Sequence, residues 1–465
     1  MSMQREDTAA RSRSLGEGLR TLVRAVAASW VGLAIACGPT VSLDASPPRA
    51  SSSSGDAPVS SSADTQGTSG STGSTQASTA ADDDPIDDLP PLPGECAPGC
   101  EVDLPITWTW DDEVSDPEQW LSTMLALPDG GWVVATSLLG FPQLTKITAE
   151  GELAWSVPAS LDCNCEILDL ALYPSGKLAV LGQGSFDSFY QVLALGRFDL
   201  QTQDFEWKAW DTIYGTNVIP PTVGSVIPLD DVYTVMLVTE ASEFSRWSSQ
   251  EWIEIFVYEN EYAANYVVLD SKTIDTPSPP PRGRGLSDGS VVMTLPDPNE
   301  AQSYVVWLDR EDLLPFDGVL VPGVPEAMAE RLDDELVMAG HLDFSSQQVI
   351  LQASGVSHGE QPWVFSDGVL TTTSSAPALT VDSSGSAIVA MHATAGTPED
   401  PRGGTVQLVR LRDGTEVWST SIPLSLQTSS HPVAIDATVD DGLVLAGIVD
   451  GRLHLERREQ TCRCD

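Results

Sequence analysis

Basic side chains are scarce in this chain. Lys and Arg number 23 against 67 Asp and Glu, a formal net charge of −44 over 465 residues. A surface this negative repels nucleic-acid phosphates and anionic lipid heads, so neither is a partner expected for the folded part. It favours cationic ligands, divalent ions or basic proteins, and it keeps the protein soluble. Long apolar runs are also missing. The uncharged stretch Ala25–Ala36 has 12 residues, short of the ~20 a membrane-spanning helix needs. Helical periodicity of useful length is absent after Leu104. There are five histidines, and no HExxH, phosphate-binding loop or dinucleotide fingerprint occurs, which removes the best-marked catalytic classes. Acidic runs such as Asp82–Asp84 and Asp111–Glu113 lack the order of a calcium loop.

What the chain does have is a recurring phrase: an apolar strand, an acidic or Gly turn, and a second apolar strand. It occurs seven times, at Leu127–Ser137, Tyr173–Gln183, Pro228–Glu240, Leu286–Pro296, Leu332–His341, Val381–His392 and Val439–Ile448. Apolar residues at every second position mark half-buried strands, and Gly and Asp supply the reversals. A third strand follows each phrase, then a fourth that often carries an aromatic, as with Trp155, Trp207, Trp363 and Trp418. One such sheet cannot bury both faces alone, so the repeat predicts an all-β, seven-bladed β-propeller. The fourth-strand tryptophans are then packing residues between blades.

The seventh repeat stops after Arg452–Arg457, while Ile106–Trp110 stands unpaired ahead of the first inner strand near Trp120–Ala126. An open blade would expose two apolar edges, so the N-terminal strand is expected to complete it. Seven cysteines leave three close pairs once Cys37 is set aside: Cys96/Cys100, Cys163/Cys165 and Cys462/Cys464. In an exported protein these are disulfide candidates. Closure brings the first and last pairs together, which predicts at least one disulfide across the seam. Bonding within each pair is the alternative, and zinc is a further rival without a neighbouring histidine at ligand spacing.

Three regions result: 1–36 as an export signal, 37–104 as a disordered tether, and 105–465 as the propeller. Arg5, Arg11, Arg13, Arg20 and Arg24 precede the apolar stretch, as in a signal peptide. The segment Leu33-Ala34-Ile35-Ala36-Cys37-Gly38 resembles the lipobox of bacterial lipoproteins. That resemblance implies lipidation at Cys37, and Gly38 after it implies outer-membrane sorting. Ala34 stands where that family usually has Leu, so ordinary signal cleavage is the alternative. The tether includes Ser51–Ala80, almost wholly small and polar, which cannot bury enough apolar area to offset ordering entropy.

The strings Asp413–Trp418 (DGTEVW), EGELAW and VDSSG are similar to repeats of secreted bacterial propellers, including the quinoprotein-like ones. The resemblance implies the fold only. Quinoprotein dehydrogenases also carry an adjacent Cys-Cys disulfide, which this chain lacks, so no cofactor is expected from it. At the ends of the second strands the repeats align Ser137, Gln183, Glu240, His341 and His392, with His431 in the linker entering blade seven. These residues form a candidate ligand-binding mouth; imidazoles and a carboxylate there can bind a transition metal or act as acid and base, and the plainer reading is a solvated polar rim. Arg282 and Arg284, ahead of a short inner strand, can reach the channel and hold an anion, or simply balance nearby acids. The functional expectation is a lipid-anchored, monomeric binding or scaffold module at the outer membrane or cell surface, with a protein or carbohydrate ligand. The alternative is an enzyme using the histidine mouth.

Overall fold

The computed structural model describes residues 96, 100–113 and 119–464, apart from short segments at 139–140, 188–189, 214–217, 246–247, 260–261, 275–280, 298–301, 312, 314, 332–334, 342–348, 358–361, 372–375, 394–404 and 423–433. The predicted signal region, Cys37, most of the predicted tether and His431 lie outside the described residues.

Seven four-stranded antiparallel sheets are present among the described residues, with one two-stranded ribbon. The inner strands of blades 1 to 7 are Trp120–Ala126, Asn164–Leu172, Val218–Pro228, Gly283–Gly285, Val324–Glu330, Ala378–Val381 and Ala434–Ala437. Each inner strand touches the next, and that of blade 7 touches that of blade 1. The sheets therefore share one axis, as the sevenfold repeat predicts. No helix occurs among the described residues.

The repeated phrase acquires a physical meaning at its turn. Leu127, Tyr173, Leu229, Leu286, Arg331, Asp382 and Thr438 each donate N–H to the carbonyl four residues on, at 2.8–3.0 Å. In most of the turns the residue before that carbonyl takes left-handed backbone, and in blade 1 Gly130 supplies it at φ +82°. In blade 7, Asp441 does the same at φ +62°, a conformation aspartate tolerates better than most residues. In blade 6 the turn is tied further. Asp382 Oδ1 accepts the N–H groups of Ser384 and Ser386, both at 3.0 Å, and its Oδ2 pairs with Arg410 Nη2 at 2.6 Å. Both side chains of that ion pair are wholly buried.

Each described apolar cluster lies between two neighbouring blades. Leu144, Leu161 and Phe198 join blades 1 and 2, and Val337, Val389 and Leu411 join blades 5 and 6. The fourth-strand tryptophans pack in these interfaces, as expected. Trp363, and Trp108 of the strand that closes blade 7, each meet a glycine on the next blade. A Cβ on Gly151 would lie 2.5 Å from Trp108, and one on Gly414 would lie 3.2 Å from Trp363.

Blade 7 is completed from the front of the globule. Ile106–Asp111 pairs antiparallel with Arg452–Arg458, placing Asp111 opposite His454. Strand structure begins earlier than the predicted boundary at 105. Glu101–Asp103, assigned to the tether, forms a ribbon with Thr461–Arg463. The reason is local: Val102 pairs with Cys462, and disulfides Cys96–Cys462 and Cys100–Cys464 bracket the pairing. Cys163 bonds to Cys165.

Candidate functional site: the central channel

An inner strand has a neighbour on one side only. Its other edge presents unpaired N–H groups toward the axis, and a buried edge must find acceptors. The sequence meets this need with polar side chains from the preceding blade. Asp169 Oδ2 accepts Val226 N–H at 2.9 Å, joining blade 2 to blade 3. Ser225 Oγ accepts Gly283 N–H at 3.1 Å, joining blade 3 to blade 4. Thr380 Oγ1 accepts Ala437 N–H at 3.1 Å, joining blade 6 to blade 7. In all three, the acceptor reaches one residue past its own equivalent on the next strand. Asp436 continues the chain of bonds, accepting Thr380 Oγ1–H at 3.3 Å and Trp132 Nε1–H of blade 1 at 2.9 Å.

These contacts set the electrostatics. Burial pushes the Asp169 carboxyl up to about 6, against the pull of Val226 N–H and of the Arg282 and Arg284 charges. Burial also raises the Asp436 carboxyl, against Trp132, Thr380 and the charge of Arg284. Arg284, on the inner strand of blade 4, thus lies close enough to act on acids of blades 2 and 7 together. It shares a register level with Thr380 and Asp436: all three pair with the residue two past the turn carbonyl of their blade. Arg282 is anchored, its Nη1 donating to Gly224 O at 2.9 Å, while its buried Nε has no partner among the described residues. Arg284 is exposed and makes no hydrogen bond or ion pair among the described residues.

The predicted mouth is assembled differently. Ser137 is 1% exposed and its hydroxyl has no partner among the described residues, so it is a wall residue and not part of a solvated rim. Gln183 and Glu240 were expected at strand ends, but their strands run on to Asp187 and Ser245. Blades 2 and 3 have longer second strands than the repeat indicated. Counting from the shared turn bond, Thr239 and not Glu240 is the equivalent of Ser137 and Gln183, since each lies six residues past the turn carbonyl of its blade. His341 pairs with Val324 and Leu351, and His392 pairs with Val406. The side chains of Glu240, His341 and His392 lie outside the described residues, so no convergence of these groups is drawn. Among the described residues, no group of three or more His, Cys, Asp or Glu is placed to hold a metal ion.

Asp169 and Asp436 escaped the sequence reading. The signal was a charge flanked on both sides by small or apolar residues, as in ILDLAL and AIDA. A further motif also went unread there. Gly355–Gly359 (GVSHG) spells the Gly-x-Ser-x-Gly of a nucleophile elbow. That motif works on a strand-to-helix turn. Here its first two residues end the strand Val349–Val356, and the next described element is another strand, Trp363–Thr371, so among the described residues the required helix is missing.

No known protein family matches the chain, and no curated protein matches it in sequence. Solved structures match across most of its length at low identity. Hydrazine synthase of Kuenenia stuttgartiensis has 11% identity and a TM-score of 0.46, covering 75% of this chain and 98% of that one. An oligogalacturonate lyase in complex with manganese has 13% identity and a TM-score of 0.45, covering 77% and 97%. An α-L-arabinanase of Penicillium chrysogenum, complexed with arabinobiose, has 12% identity and a TM-score of 0.43, covering 76% and 98%. Enzymes of unrelated chemistry stand side by side in this set, and at such identities the likeness carries nothing about activity. The β-propeller architecture itself rests on the seven sheets and their closed ring.

Proposed function

We propose that this protein is a lipid-anchored binding or scaffold module of the bacterial envelope or cell surface, acting as a monomeric disc that takes a protein or carbohydrate ligand. The observation that carries the reading is the seam. Two disulfides and a ribbon tie the front of the globule to its last strand. Such bonds suit an oxidising compartment outside the cytoplasm. A ring sealed in this way is a stiff platform with loops on both faces, which favours recognition. The half-buried acids of the channel support the same reading, because their bonds to Val226, Trp132 and Thr380 hold neighbouring blades together.

The anchor and the binding are tested together. The full chain is expressed with its own leader in a Gram-negative host, beside Cys37→Ser. Wild type is expected in the membrane fraction, with a diacylated Cys37 at the mature N-terminus by mass spectrometry. Cys37→Ser is expected to lose the lipid and to leave the membrane. The released disc is then immobilised against envelope extracts and a glycan array, where a saturable partner is expected. A wild type that is unlipidated and soluble would remove the anchor, and a disc that retains nothing would remove the binding role.

A further inference from the structure

One disulfide of the globule is unlike the other two. Cys96–Cys462 and Cys100–Cys464 join residues 366 and 364 apart, whereas Cys163 and Cys165 are 2 apart. The entropy that a disulfide removes from the unfolded chain grows with the loop it closes. Taken one at a time, the Cys163–Cys165 bond therefore constrains the unfolded chain least. It also runs against the backbone that it joins. The strand Asn164–Leu172 starts inside the pair, and extended backbone sets alternate Cα atoms about 6.6 Å apart. The bond holds these two Cα atoms at 5.1 Å. A bond kept for stability alone would show neither feature.

The two halves of the pair differ in access. Cys165 is 0% exposed and packs with Ala135, Leu161 and Ile167 between blades 1 and 2, while Cys163 is half-buried at the edge of that cluster. The segment is also held by contacts other than the bond. Asn164 and Cys165 pair with Ser185 and Gly184 of the neighbouring strand. Asp162 Oδ1 accepts from Lys208 Nζ at 2.9 Å, and Asp162 N–H donates to Ser160 Oγ at 3.3 Å. A Cβ added to Gly182 would stand 2.6 Å from Leu161 and 3.6 Å from the Cys165 Cβ, so the pair's loop is packed closely on the sheet. The bond can thus open while the strand stays in place. We infer that Cys163–Cys165 is a thiol–disulfide exchange site. This adds a chemistry to the binding role proposed above and does not depend on it. An external thiolate attacks the Cys163 sulfur, the S–S bond breaks, and Cys165 leaves as a thiolate that takes up a proton. A second external thiolate attacks the external sulfur of the mixed disulfide and releases Cys163, which takes up the other proton. Two external thiols become one disulfide as the pair gains two electrons and two protons, and an external disulfide drives the reverse. Exposed Asp162 and Glu166 flank the pair in a chain of net charge −44. Neutral or cationic thiols are therefore favoured over anionic ones.

The test equilibrates the oxidised full chain, without oxygen, in graded mixtures of cysteamine and cystamine. Samples are quenched in acid, alkylated with N-ethylmaleimide and read peptide by peptide by mass spectrometry, with circular dichroism alongside. Cys163 and Cys165 are expected to take the label together while the circular dichroism is unchanged, and to be protected again after return to excess cystamine. Any adduct trapped in wild type is expected on Cys163. Cys165→Ser isolates the first partner: its Cys163 thiol is expected to react several-fold faster with cystamine than with oxidised glutathione, an excess that shrinks at high salt. A pair that opens only as the fold is lost would overturn the assignment, and so would a wild-type adduct on Cys165. A ratio that salt does not change would overturn the preference for cationic partners. The first arm uses wild type alone, so it decides the assignment whether or not Cys165→Ser folds.

Discussion

Asp169 shows how one side chain serves two masters. Its carboxylate is the acceptor that an inner-strand edge requires, and its burial makes the charged form costly. With the folded value near 6 and an ordinary value of 3.8, the folded state holds a proton across that interval when the unfolded chain does not. The stabilising contribution is full below about 4 and is lost as pH rises through about 6. Asp169→Asn keeps an oxygen for Val226 N–H and removes the titration. It is expected to melt above wild type at pH 7.5 and to lose the slope between pH 4 and 6, followed by circular dichroism. A variant melting with the wild-type slope would place the titrating group elsewhere. Single residues were the hardest level to read from sequence. Trp155, Trp363 and Trp418 announced their packing role because bulk at a repeated position has few other uses. Ser137 did not announce its burial, since a serine at a strand end looks the same whether wet or walled in.

Among the strands, the closing one carries its own electrostatic latch. His454 Nδ1 lies 2.7 Å from Asp111 Oδ1, and its Nε2 lies 3.6 Å from Glu456. Glu456 also pairs with Arg458 Nε at 2.7 Å, and Arg458 Nη1 donates to Leu104 O at 2.7 Å. Burial alone would lower the imidazole; its bonds to Glu456 and Asp111 outweigh that and hold it above its ordinary 6.5. The latch is thus fully present below about 6.5 and is released as pH rises through the higher folded value. Amide exchange over Thr107–Asp111 is expected to quicken between pH 6.5 and 8.5, after correction for intrinsic rates. His454→Gln should abolish that extra dependence, and an unchanged profile in the variant would refute the latch. The closing strand itself was legible, because a fourth strand was missing at one end of the chain and a spare stood at the other. The extra length of blades 2 and 3 was not. Alternation identifies a strand but does not say where pairing stops, and the loop that follows has the same small polar composition.

For the whole molecule, ring closure is the leading constraint. Cys96 and Cys462 are 366 residues apart; chain entropy assigns such a link about 6 kcal/mol, and measured disulfides run roughly 2–4 kcal/mol. Once either seam bond exists, the other closes only a few residues more and contributes far less entropy. Replacing one seam pair with serines is therefore expected to shift the melting temperature slightly, and replacing both pairs to lower it by several degrees. Equal, additive losses from the two pairs would contradict this sharing. The ring count and the meeting of the chain ends were readable because they follow from repetition and edge avoidance, whereas the channel chemistry depends on the heights at which blades place their side chains. The seam also decides how the disc carries load. A pull arriving along the chain from residue 95 meets Cys96, covalently bound to Cys462 beside the third strand of blade 7, before it meets the hydrogen bonds of Ile106–Asp111. Tension is borne by a sulfur–sulfur link, and the outermost strand is spared from being peeled away.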